Sequence, residues 1–233
     1  ENDAKALNRG FIKRMLTGKP FVRSKLAMSL DGRTAMANGE SKWITSPESR
    51  HNVQYLRAES CAILTGINTV LADDPSLNVR LENTEVLQPI RVILDSNLQM
   101  PHDSQMAKLD GRILVLTCSS RWKYDWCAEN HWQPFTPKNN KTGRGLWQIN
   151  EVLIEAGAIL NGALLEAGLV DEWIIYMATC VLGDNGRGLF TLPSIQTMAD
   201  KKVLQLNDVR QVGVDLRLIL LKNPMSEPVS TCE

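Results

Sequence analysis

The sequence predicts an α/β fold: a mostly parallel central sheet with helices on both faces and an antiparallel edge at the C-terminal end. Three observations lead there. Short apolar runs of strand length recur along the chain, helix signatures fall between them, and the last two strand patterns lie close together. Strands separated by helices pair in parallel because the crossover returns the chain to the same end of the sheet, whereas closely spaced strands fold back on each other.

Residues 4–15 (AKALNRGFIKRM) place Leu7, Phe11 and Met15 at fourfold spacing, a lead-in helix ended by Thr17-Gly18-Lys19-Pro20. Residues 21–28 (FVRSKLAM) read as a strand closed by an Asp31-Gly32 turn. The next helix runs to about residue 59. Thr45 and Glu48 have capping-box spacing, and Pro47 suits the first turn, where its missing N–H leaves no helical bond unmade. Residues 61–65 (CAILT), 89–95 (PIRVILD), 112–117 (RILVLT) and 151–154 (EVLI) are short apolar strands. A helix over 159–167 ends at Gly168, a residue suited to the left-handed cap. Residues 171–178 (DEWIIYMA) return as a strand, and 202–207 and 212–221 complete the antiparallel edge. Residues 119–141 are polar, carry Trp122, Trp126 and Trp132, and show no period that assigns them to an element.

Composition narrows the function. With 233 residues, 43% hydrophobic and 22% charged, the chain has enough apolar mass for one sizeable core and is too apolar to be disordered. Lys plus Arg and Asp plus Glu balance at 26 each. No basic field directs the chain to nucleic acid or an anionic membrane, so a small-molecule partner is expected. Apolar runs such as 173–178 (WIIYMA) fall far short of the ~20 residues of a spanning helix. Five cysteines (Cys61, Cys118, Cys127, Cys180, Cys232) lie far apart and never form Cys-x-x-Cys, which argues against a disulfide framework or zinc knuckle and fits a reducing, cytoplasmic setting. His51, His102 and His131 lack metal-ligand spacing and no Gly-x-Ser-x-Gly elbow occurs, so neither a metal site nor serine hydrolysis is expected. The chain opens on Glu1 with no signal segment, and it is expected to be a piece of a longer protein.

Several stretches carry polar groups suited to a ligand, each with a plainer alternative. Residues 155–163 (EAGAILNGA) follow an apolar strand and open a helix, the setting in which backbone N–H groups take a pyrophosphate, but they depart from G-x-G-x-x-G and also fit an ordinary strand-to-helix turn. Residues 181–188 (VLGDNGRG) form a loop where backbone can approach a ligand, or simply a loop. In 39–47 (GESKWITSP), Trp43 can stack on a ring and Ser41 can bond a phosphate or sugar oxygen; the alternative is a core tryptophan beside a cap. Arg57 and Arg80 are either solvated or paired on a phosphate, whose oxygens match the guanidinium fork. Within 70–80 (VLADDPSLNVR), Asp74-Pro75 reads as turn punctuation, while Asp73 is a candidate for proton transfer alongside Lys25 and Glu155, both on strands or at their ends.

Read together, residues 25–50 (KLAMSLDGRTAMANGESKWITSPESR), 56–80 (LRAESCAILTGINTVLADDPSLNVR), 89–96 (PIRVILDS) and 153–172 (LIEAGAILNGALLEAGLVDE) resemble the reductase domain of bacterial bifunctional riboflavin-biosynthesis deaminase/reductases. The resemblance covers most of the chain. It implies a dihydrofolate-reductase-like fold, a homodimer through this domain, and NADPH-dependent reduction of 5-amino-6-(5-phosphoribosylamino)uracil to 5-amino-6-(5-phosphoribitylamino)uracil. Carried onto matching positions, it implies an NADPH site of Ala27, Trp43, Thr69, Asp73, Ser96, Gly157, Ala158, Ile159, Leu160, Asn161, Gly162 and Ala163. Substrate contacts would come from Ser41, Arg57, Leu77, Arg80 and Glu155. Ser41 and the two arginines are expected to hold the ribose phosphate, and Lys25, Asp73 and Glu155 to orient the ring-opened substrate and relay a proton.

The same resemblance implies a covalently linked zinc deaminase domain ahead of this region, whose His-x-Glu and Pro-Cys-x-x-Cys ligands this sequence lacks. Reductase without deaminase activity is therefore expected. Residues 1–20 read as a lead-in helix and linker from that domain, 21–224 as the reductase domain and 225–233 as a tail. Between Thr117 and Gln148 the family usually has an additional helix, whereas here 142–148 (TGRGLWQ) run almost directly into the next strand, so the region is shortened or lacks residues. Two other readings remain. A dihydrofolate reductase takes a pteridine without a ribose phosphate, which the two arginines argue against; a nucleotide-binding module without turnover has no need of Lys25, Asp73 and Glu155.

Overall fold

The computed structural model describes residues 5, 7–82, 85–118, 132–135 and 149–223, with 132–135 described by their backbone alone. The expected tail 225–233, the unassigned 119–131 and 136–141, the connection to Gln148, His131, Cys127 and Cys232 lie outside the described residues. The chain divides into two compact units, Glu1–Val22 with Arg50–Gly157, and Arg23–Ser49 with Ala158–Glu233.

The first unit holds helix α1 (Arg9–Thr17), and strand β1 (Phe21–Met28) starts at its end. After β2 (Arg33–Ala35), helix α2 (Pro47–Ala58) passes back into this unit at Arg50. There follow β3 (Ala62–Gly66), α3 (Ile67–Asp73), β4 (Ile90–Leu94), β5 (Ile113–Leu116), β6 (Trp132–Phe135) and β7 (Glu151–Ile154). The strands lie in the order β7-β3-β4-β5-β6 with every pairing parallel, Ala62 standing opposite both Val152 and Ile90. Alternate residues explain why these strands read as unbroken apolar runs. Ala62, Val92 and Leu114 pack with Leu64, Ile90, Leu116 and Val152, while their neighbours Ile63, Ile93, Val115 and Leu153 are fully buried too; a parallel strand covered on both faces has no polar side to show.

One charged residue enters this core. Arg91 is buried in β4, and its guanidinium donates to the carbonyls of Met106 (2.7 Å), Leu109 (3.2 Å) and Asp110 (2.8 Å), closing the end of a 3-10 turn at Gln105–Lys108. Burial pulls its pKa down while nearby Asp110 opposes the shift. The fork is satisfied by carbonyls that a helix end otherwise leaves open.

The second unit contains most of β1 together with α4 (Ala158–Glu166), β8 (Glu172–Met177), β9 (Arg187–Gly188), β10 (Leu204–Val212) and β11 (Asp215–Lys222). Its strand order is β10-β11-β8-β1, with β1 and β8 parallel and β11 antiparallel to both neighbours, while β2 and β9 form a separate antiparallel pair. Trp173, Ile174 and Tyr176 on β8 are fully buried, and Trp173 meets Phe190 edge-on at 5.0 Å. Helix α4 comes close to the 191 segment because Gly162 has no side chain: a Cβ there would stand 2.0 Å from the Thr191 carbonyl oxygen. The expected mostly parallel sheet with an antiparallel C-terminal edge is borne out.

Three local expectations change. Helix α3 was not legible, since seven residues with Val70 alone buried carry too little periodicity. The cap of α2 sits one residue later than the Thr45 spacing suggests: the Ser49 N–H donates to Ser46 Oγ at 3.3 Å, and Asp215 Oδ2 reinforces that end by accepting from Ser46 N–H at 2.8 Å and from Ser49 Oγ at 2.6 Å. At the tail, Val212 closes the first strand rather than opening the second. Gly213, at φ 62, starts a two-residue turn between the paired Val212 and Asp215, a geometry that glycine adopts readily.

Candidate active site

Polar groups gather where the first unit's strands end. The Glu155 N–H donates to the Leu64 carbonyl at 3.0 Å, carrying the β3–β7 ladder one residue past Ile154. Its carboxylate accepts two bonds from one guanidinium, Arg57 Nε to Oε1 at 2.6 Å and Arg57 Nη2 to Oε2 at 3.0 Å. Both side chains are about nine-tenths buried, with 10% and 11% exposure. Arg57 stands in the last turn of α2, and its Nη1 donates to the Asn78 carbonyl at 2.9 Å. Such a fork fixes the carboxylate in one plane as well as in position.

Arg80 completes the cluster. Its Nη1 donates to Asn78 Oδ1 at 2.8 Å and its main-chain N–H donates to Gln54 Oε1 at 2.9 Å. Gln54 and Arg57 are three apart on α2 and so share a face. Burial alone would lower the Arg57 pKa, but the charge and hydrogen bonds of Glu155 outweigh it and raise it. For Arg80, burial and then the Arg57 charge lower the pKa, with Glu155 opposing. Two cations and one carboxylate therefore sense each other, and both arginines remain charged.

Elsewhere in the first unit, Thr69 and Asp73 lie one turn apart on α3 and face the same way. Leu77 is buried and takes φ 45, so its side chain belongs to the core. Ser96 is exposed just beyond β4, and its carbonyl accepts from the buried Thr117 hydroxyl at 3.2 Å. Asp95 beside it is fully buried, and its Oδ2 accepts the N–H groups of Gln99 (2.7 Å) and Met100 (2.9 Å), fixing the turn that carries Ser96. Asp74, read as punctuation, does more: it caps α3 at φ 41, and its Oδ1 accepts the Gln105 N–H at 2.8 Å at the start of the 3-10 turn.

In the second unit, Lys25 and Ala27 alternate along one side of β1. Trp43 is 70% exposed, which removes the core-packing alternative, and Ser41 is half-buried. Within the segment from Gly157 to Ala163, Ala158, Asn161 and Gly162 are buried whereas Ile159 is exposed. Asn161 Oδ1 accepts the Ser24 hydroxyl at 2.6 Å, so its side chain anchors α4 rather than facing solvent. At the unit's other loops, Asp31 accepts from the Ser29 hydroxyl and from the N–H groups of Leu182 (3.1 Å) and Gly183 (2.8 Å). Those bonds, led by Ser29, lower its pKa from 3.8 to about 2.

Gln54, Asn78, Asp95, Thr117 and Gln88, whose amide bonds both main-chain groups of Val79 at 2.9 and 3.1 Å, were missed in the sequence. The Gln54–Arg57 spacing on α2 was the one available signal; the others bond irregular segments, where no period marks them. Among the described residues, no group of three or more His, Cys, Asp or Glu is placed to hold a metal ion.

Parallel strands, an antiparallel C-terminal edge and charged groups at the strand ends define an α/β domain built on a mostly parallel sheet. Residues 20–218 match the model of the RibD C-terminal domain, and the chain belongs to that family. It is 45% identical over 236 residues to the riboflavin biosynthesis protein RibD of Haemophilus influenzae, covering 93% of this chain and 62% of the relative. It is 36% identical over 204 residues to a 5-amino-6-(5-phosphoribosylamino)uracil reductase of Buchnera aphidicola from Acyrthosiphon pisum, covering 79% of this chain and 98% of the relative. The structure of Acinetobacter baumannii RibD superimposes with a TM-score of 0.85 at 42% identity, over 94% of this chain and 63% of that one. The chain thus spans less than two thirds of the RibD proteins it matches.

Proposed function

We propose that this chain reduces 5-amino-6-(5-phosphoribosylamino)uracil to the ribitylamino product with NADPH as reductant, residues 21–224 forming the catalytic domain. The observation that carries the reading is the Arg57–Glu155 fork with Arg80 beside it, a preformed cationic cluster built around a buried carboxylate. The Buchnera reductase, matched over 98% of its own length, bears that name.

Arg80 takes the ribose phosphate. Arg57 spends two of its five N–H groups on Glu155 and one on Asn78, which leaves the remainder for a phosphate oxygen. Ser41 is a further donor to it. Glu155, held in plane by Arg57, offers its other lone pairs to N–H or O–H donors of the substrate. Lys25 and Asp73 orient the ring-opened sugar and hold or pass its proton.

The residues fit NADPH. Gly157 is exposed with nothing within 4 Å of an added Cβ, and it leads into the nine-residue α4, whose N-terminus suits a pyrophosphate. Thr69 and Asp73 present one helical face, Ser96 is exposed at a strand end, and Trp43 and Ala27 offer apolar surface. NADPH when bound supplies the hydride; the chain's residues bind, orient and exclude water. The linked zinc deaminase domain, the homodimer and a cytoplasmic location belong to the same proposal. No helix among the described residues is long and apolar enough to cross a membrane.

The test is NADPH oxidation, followed by the loss of reduced-nicotinamide absorbance, with the phosphoribosylaminouracil, with dihydrofolate, and with NADH in place of NADPH. Turnover confined to the first pair is the expected result. Absence of turnover there, or turnover with dihydrofolate, refutes the reading.

A further inference from the structure

Segment 74–80 carries Leu77 and Arg80 but contains no strand or helix to satisfy its main chain. Side chains do so instead. Gln88 Oε1 accepts the Val79 N–H at 2.9 Å, and Gln88 Nε2 donates to the Val79 carbonyl at 3.1 Å. One amide thus closes both polar groups of a residue, as a neighbouring strand would. The preceding carbonyl, that of Asn78, accepts from Arg57, and the following N–H, that of Arg80, donates to Gln54. Four consecutive main-chain groups are held by three side chains.

The segment also holds two non-glycine residues at positive φ, Asp74 at 41° and Leu77 at 45°. Such conformations persist where the surroundings over-determine them. Among the described residues the Arg80 guanidinium, by contrast, bonds only its near neighbour Asn78 Oδ1, and the residue is exposed. The part of Arg80 that reaches outward is lightly held, while the part it springs from is held on every side. Bidentate contact with a phosphate demands a set guanidinium position, and the main chain fixes the point and direction from which the side chain reaches it.

We propose that Gln88 and Gln54 are positioning residues for Arg80: they fix the main-chain direction from which its guanidinium meets the phosphate of the substrate. The inference rests on the phosphate role given to Arg80 above. Gln88 is the sharper probe because it is exposed, so that losing its amide opens no core, whereas Gln54 is buried.

Steady-state kinetics on the full chain test it, with the phosphoribosylaminouracil and NADPH each varied. In Gln88→Leu the substrate KM is expected to rise about tenfold, with kcat and the NADPH KM within about twofold of wild type, the pattern of lost uniform binding. Gln88→Glu, which keeps an acceptor for the Val79 N–H but loses the donor, gives a smaller rise and carries the test if Gln88→Leu does not fold. In an Arg80→Ala background the Gln88 substitution changes KM by less than about twofold, because the residue it acts through is gone. An active wild type with an unmoved KM in both Gln88 variants overturns the inference, as does a full rise that persists without Arg80. A wild type without turnover refutes the activity reading instead.

Discussion

Arg57 and Glu155 show how one pair serves two ends. Breaking a buried pair leaves a charge with neither water nor partner, at a cost of about 3–5 kcal/mol, whereas replacing both members with apolar residues of similar size is often close to neutral. Arg57→Met is therefore expected to lose about 3 kcal/mol in urea unfolding, and the double variant Arg57→Met/Glu155→Leu to recover most of it. Both proteins are expected to lose turnover, since each lacks the oriented carboxylate or its clamp. A double variant no more stable than Arg57→Met would mean that the fork contributes geometry to stability beyond the pairing of charge. Residue identity decides here: lysine in place of Arg57 supplies the charge but not the planar fork.

At the scale of elements, loops in this chain are tied by side chains that act as substitutes for missing strand neighbours or caps. Asp215 does this for the start of α2, Arg91 for the 3-10 turn and Asp31 for the 182–183 loop. Asp31 makes its contribution measurable through pH. Its folded pKa, about 2, lies below the ordinary 3.8, so the folded form releases the proton more readily than the unfolded chain. The stabilisation is complete above the unfolded value and is lost as pH falls through the folded one. Asp31→Asn is expected to lower the melting temperature by a constant amount above about pH 5, by less as pH falls toward 2, and by a vanishing amount below it. A difference that stays the same across this range would remove the carboxylate from the account.

For the molecule as a whole, the sheet order leaves β10 at an edge, and Leu206 and Val209 on it are 57% and 48% exposed. A long edge strand with apolar side chains is a template for pairing with another chain. Given the proposed homodimer, sedimentation is expected to return twice the 26.0 kDa chain mass, and Val209→Lys to shift the population toward the monomer. A single monomeric species at all concentrations would refute the dimer.

Much of this fold lies open in the order of residues. The strands through 61–65, 89–95, 112–117 and 151–154 all form within a residue or two of expectation, because burial on both sides leaves unbroken apolar runs that nothing else imitates. Gly168 ends its helix in the left-handed conformation as expected, at φ 61. Short elements escaped: α3 has too few residues to show a period, and the turn at Gly213 lacks an Asn-Gly signature. At the candidate site, Arg57, Arg80 and Glu155 stood out as residue types, but two readings of each arginine stayed open. Chain folding removed the solvated reading of Arg57 by burying it and setting Glu155, 98 positions away, at 2.6 Å from it; its phosphate contact belongs to the proposal. Gln54 and Gln88 had no pattern to reveal them. Local sequence encodes propensity and burial, which repeat along a segment, while a hydrogen bond between distant residues exists only once packing has brought its two ends together.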